Sequence, residues 1–123
     1  MPVSEIIHRD KKVLFLDLKD MKDQNELIKD AKEVANIIIE RNSPTLFLCD
    51  FTNAAVGTEF MSQMKEDGRQ ILRNIPVKTA VSGITGLKQI LLQGYIRFTG
   101  SKLRSFDTLE EAKDYLADGE FPS

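Results

Sequence analysis

Four short strand candidates, Val13–Leu18, Thr45–Phe51, Val77–Gly83 and Lys102–Phe106, are each followed by a segment with helical apolar spacing. Parallel strands joined by crossover helices require this alternation, so the pattern predicts an α/β layer fold. At 123 residues the chain is long enough for one domain, expected over residues 1–118 with a tail at 119–123. Linkers, low-complexity tracts and signs of a second domain are absent from the sequence.

Pro2–His8, a charged turn at Arg9-Asp10-Lys11-Lys12 and Val13–Leu18 read as a hairpin entering the sheet. In the second strand Leu14 and Leu16 are expected on one face and Val13 and Phe15 on the other, as in a strand covered on both sides. The first helix begins at Asp23, a capping carboxylate followed three residues later by Glu26. Leu27, Ala31, Val34, Ala35 and Ile38 form its inward stripe, and Pro44 stops it. Leu46–Cys49 is all apolar and reads as a central strand.

The next helix, from Thr58 to Ile75, turns Met61, Met64, Gly68, Ile71, Leu72 and Ile75 inward. Gly68 in that stripe costs roughly 1 kcal/mol of helix propensity, which a close approach to the sheet is expected to offset. The helix after Val77–Gly83 has a packing stripe at Leu87, Ile90, Leu91, Gly94 and Phe98. Leu92, Tyr95 and Ile96 lie beside or opposite it and are expected to form an outer apolar contact, such as a homodimer interface. Thr108 and Glu111 make a capping box for the last helix, docked by Leu109, Ala112 and Leu116.

Net charge is −2 and the basic residues are scattered, so no field recruits nucleic acid or an anionic membrane. The single cysteine, Cys49, excludes an internal disulfide and a cysteine metal cage, and it reads as a core residue. The start of the chain has no signal-peptide pattern, and the greasy stretch at 84–96 is broken by Lys88, Gln89 and Gln93. A cytoplasmic location without an integral membrane segment is expected.

Ligands of open α/β sheets sit beyond the carboxyl ends of the strands. The groups expected there are Asp17 with Lys19 and Asp20, then Asp50, Thr52 and Asn53, then Ser82, Thr85 and Gly86, with Gly83 among the binding candidates; two aspartates with a hydroxyl suit an oxygen-ligated cation. A receiver-type phosphorylation site would need a strand-end lysine and a fifth βα unit, and neither is present. Gly83-Ile84-Thr85-Gly86 lacks the lysine of a P-loop and the third glycine of a dinucleotide fingerprint, and reads as a tight turn. His8, the lone histidine, is expected in an edge strand without a nearby partner. No catalytic set, metal site or cofactor is predicted.

The element order, with Asp50-Phe51-Thr52 closing the central strand, resembles the STAS superfamily over nearly the whole chain. More particularly it looks like the SpoIIAA-like (STAS/SEC14-type) branch. The residues that carry the likeness are Lys78-Thr79-Ala80-Val81 with Gly83, Arg104-Ser105-Phe106, and Glu110-Glu111-Ala112 with Tyr115-Leu116. The resemblance implies a mixed, mostly parallel sheet of about five strands with four helices. It also implies a non-enzymatic regulatory or protein-interaction domain. In anti-sigma factor antagonists of the superfamily an Asp-Ser-Ser-Gly loop holds a phosphorylated serine. Here that loop reads Asn53 to Glu59 without the serine, and Thr58 lies near its place. The SpoIIAA-like branch shares its shape with lipid-carrying Sec14 domains, which adds a carrier or sensor of a small lipid-like molecule as the alternative.

Overall fold

A computed structural model describes residues 2–119 and 121, together with the backbone but not the side chain of Leu87. The chain runs β1(Val3–His8), β2(Lys11–Asp17), α1(Gln24–Arg41), β3(Thr45–Asp50), α2(Thr58–Asn74), β4(Val77–Ser82), α3(Leu87–Thr99), β5(Arg104–Phe106) and α4(Leu109–Ala117). The five strands lie in sequence order, β1 antiparallel to β2 and the remaining pairs parallel. Both the predicted hairpin and the mixed, mostly parallel α/β sheet are present. Part of the expected tail, residues 120, 122 and 123, lies outside the described residues.

Strand order dictates where the helices go. When each parallel strand is added on the same side of the last, right-handed crossovers put every connecting helix on one face. Accordingly α1, α2 and α3 cover one face through Leu14, Leu16, Cys49 and Val81. Val13, Leu48 and Ala80 point the other way, onto Ala112 and Leu116 of α4. The alternation expected for Val13 to Leu16 is realised. Lys78 also faces α4, where it is 3% exposed and its Nζ donates to the Tyr115 carbonyl at 2.7 Å. The carbonyl end of a helix favours a cation, which accounts for a buried lysine there.

The helix ends follow the local sequence. Asp23 caps α1 by accepting from the amides of Asn25 and Glu26, and Asn42 closes it in the left-handed region at φ 47. Thr108 caps α4 by accepting from the Glu111 amide. Thr58 does not cap α2: Gly57 occupies the N-cap without a side-chain bond, and Thr58 is the exposed first helical residue.

Two packing expectations are corrected. Gly68 makes room for a neighbouring helix and not for the sheet, since a Cβ there would collide with the Tyr95 hydroxyl and lie 3.1 Å from Cζ. That notch sets the rotation of α3. Leu92 is 7% exposed and packs inward with Leu91, Tyr95 and Ile96, whereas Ile90 is 69% and Phe98 46% exposed. The inner and outer faces of α3 are therefore largely the reverse of the sequence expectation, so Leu92, Tyr95 and Ile96 belong to the core side. Leu87 falls outside this comparison, its side chain being undescribed.

Candidate functional site

Asp17, Asp50, Ser82 and Phe106 stand in register across β2, β3, β4 and β5, which brings the carboxyl ends of the parallel strands together. Asp50 is 7% exposed and sits at the centre of this row. Its Oδ1 accepts from the Thr52 amide at 3.0 Å, the Thr52 hydroxyl at 2.6 Å and the Ser82 hydroxyl at 3.3 Å. Three donors thus converge on one oxygen of this buried carboxylate, as burial of a charged group requires. Gly83 follows at φ 79, with Thr52 lying directly over the position a side chain would occupy. This supports the reading of Gly83 as a tight-turn residue.

Asn53 extends the set. Its Nδ2 donates to Asp20 Oδ1 at 2.8 Å, while Lys22 Nζ donates to its backbone oxygen at 2.6 Å and its Oδ1 at 2.8 Å. The Asp20 amide donates to the Thr52 carbonyl at 2.9 Å, locking the β2–α1 turn to the β3–α2 turn. Asp50, Thr52, Ser82 and Asn53, with Asp20 and Lys22, thus form one hydrogen-bonded assembly that fixes these loops, and Gly83 lies close against Thr52. Thr58 is not among its bonded members. The loop between them is tied down separately, with the Ala55 amide donating to the Met21 carbonyl and Gln24 Nε2 to the Ala55 carbonyl. Among the described residues no three metal-capable side chains converge.

A second feature lies beneath the helices. Between α1, α2, α3 and the sheet is a cavity of about 120 Å³, lined by apolar side chains that include Val34, Phe60, Met61, Met64 and Leu92. Asp67, Lys88 and the Tyr95 ring also border it. Burial, and then the Asp67 carboxylate, push the Tyr95 phenol up to about 12. The folded state therefore keeps this proton above the unfolded phenol's pKa of about 10. Its contribution to stability is intact below that pH and is lost as the pH rises toward 12. An alkaline absorbance titration should resolve a tyrosine ionising near pH 12 in the folded protein and absent from Tyr95→Phe. A curve unchanged by the substitution counts against this environment.

His8 has a partner after all. Its Nε2 lies 2.8 Å from Asp114 Oδ1, with Arg9 Nη2 at 3.1 Å from the same oxygen. The His8 hydrogen bond, reinforced by Arg9, lowers the Asp114 carboxyl below its ordinary value. His8 pairs with Lys11 at the amino end of β2, away from the polar assembly, so it ties β1 to α4. Burial pushes the Cys49 thiol well up, in keeping with a core residue.

No family model matches the chain, and no curated protein matches it in sequence. A solved structure is similar in fold: an anti-sigma-factor antagonist (STAS) domain protein from Planctomyces limnophilus. It is 12% identical with a TM-score of 0.58, and the match covers 94% of this chain and 97% of that one. At that identity the likeness shows the fold, and the fold of this chain is the STAS, SpoIIAA-like type. No helix among the described residues is long and apolar enough to cross a membrane.

Proposed function

We propose that this chain is a non-enzymatic regulatory domain, acting in the cytoplasm, that binds a protein partner through the outer face of α3. The observation that carries the reading is a solvent-facing apolar pair, Ile90 and Phe98, in a basic setting. Lys65 and Arg69 of α2 lie over the Phe98 ring at 5.8 and 5.3 Å, and the outer face of α3 carries Arg97, with no acidic residue in the helix. Aromatic and arginine side chains on one patch suit an interface core, and the charge favours an acidic partner surface. The polar groups at the strand ends support a non-catalytic role, because they bond one another and fix loops. The fold of an anti-sigma-factor antagonist agrees with binding and not turnover.

A second copy, giving the homodimer expected from the sequence, is the other occupant of this face. Symmetric pairing would bring like charges together, so it fits less well. Sedimentation velocity and affinity capture of the wild type and an Ile90→Glu, Phe98→Glu double variant separate the cases. The expected result is a single-copy wild type that retains an acidic-surfaced protein, with retention lost in the variant and its melting temperature unchanged. A wild-type dimer dissociated by the variant assigns the face to self-association. Retention unaffected by the variant ends the reading.

The second reading, a carrier or sensor of a small apolar molecule, is favoured by the cavity beneath α3.

A further inference from the structure

The cavity contains an acceptor that the described residues leave unsatisfied. Asp67 Oδ1 accepts from Gln63 Nε2 at 3.3 Å and lies 3.7 Å from Lys32 Nζ. Its other oxygen, Oδ2, is buried and has no hydrogen-bond partner. The Asp67 side chain is only 15% exposed and borders the cavity. A buried carboxylate oxygen without a donor is costly, and the cavity lining beside it is mostly apolar.

We infer that the cavity is a binding site for a small apolar molecule bearing one hydrogen-bond donor, its body against Val34, Phe60, Met61 and Leu92 and its donor on Asp67 Oδ2. This deepens the second reading above and rests on it. Size sets the class of ligand. An apolar protein cavity of roughly 150 Å³ accepts benzene, so the about 120 Å³ here suits one ring or a short branched chain, not a diacyl lipid. Charge sets the head group: a neutral hydroxyl or amide donates to Asp67, whereas a carboxylate is repelled by it. Lys88 borders the same space from α3 and makes a carboxylate ligand the competing class.

Phenol, toluene and benzoate are nearly isosteric probes of this choice. Titrations of the intact protein, followed by the methyl resonances of Met61 and Met64, should show phenol binding about tenfold more tightly than toluene, the gain typical of a hydrogen bond to a charged group. Benzoate should bind weakest. Asp67→Leu should abolish the preference while toluene still binds, and Ala35→Leu, which occupies the space, should weaken all three. Equal affinity for phenol and toluene overturns the donor assignment and leaves the apolar-ligand reading standing. Tightest binding of benzoate overturns it in favour of Lys88. Methyl resonances unmoved by every probe overturn both the inference and the reading beneath it.

Discussion

Replacing Gly83 with alanine is expected to destabilise the protein by about 2–5 kcal/mol, the sum of left-handed strain and overpacking. Its φ is 79, and a Cβ would lie 2.6 Å from Thr52 Cα as well as against the Thr52 amide. Backbone cannot step aside as a flexible side-chain tip can, and Thr52 is held by Asp50 and by the Asp20 amide. Gly86 supplies the control. It has φ 59 and ψ −130 with open space around it, so Gly86→Ala carries only backbone strain, about 1–3 kcal/mol for so sparsely populated a conformation. Thermal melts should place Gly83→Ala on the order of 10 °C below the wild type. Equal losses in the two variants would remove the crowding against Thr52 from the explanation.

Truncating Phe60 to alanine should cost about 3–5 kcal/mol, the range for deleting a buried aromatic ring. Phe60 is 1% exposed and meets Phe51 edge to face at 6.0 Å and 79°. The pair joins the first turn of α2 to the end of β3, so the loss falls where the polar strand-end assembly is anchored. Urea unfolding should show a lower midpoint at unchanged slope. A loss below about 1 kcal/mol would mean that the neighbouring cavity collapses onto the vacated space.

Most of the architecture is legible because apolar runs and capping residues act locally. Asp23 and Thr108 cap the helices at the positions their chemistry predicts, and the polar strand-end residues Asp50, Thr52, Asn53, Ser82 and Gly83 do converge. Helix α3 is different. Leu91, Leu92, Tyr95, Ile96, Ile90 and Phe98 ring it with apolar groups, so periodicity alone gives no phase. The phase is set by Tyr95 entering the notch at Gly68, 27 residues earlier in a different helix. A glycine within an inward stripe was the available signal, and it pointed to a large neighbour. Phe60 was also within reach, since it precedes Met64 and Gly68 at intervals of four. By contrast His8 and Asp114 are 106 positions apart, and no local pattern joins them. Asp67 gives no warning either, because a carboxylate on an amphipathic helix ordinarily faces water.

The one-sided arrangement of crossovers has a consequence for biogenesis. All five strands precede α4 in the chain, and α4 supplies the helical cover for Val13, Leu48 and Ala80. As the polypeptide leaves the ribosome, one side of the ribbon can be clad progressively while the reverse stays wettable and sticky until the final helix emerges. That interval is when the nascent protein would most need a chaperone's shelter.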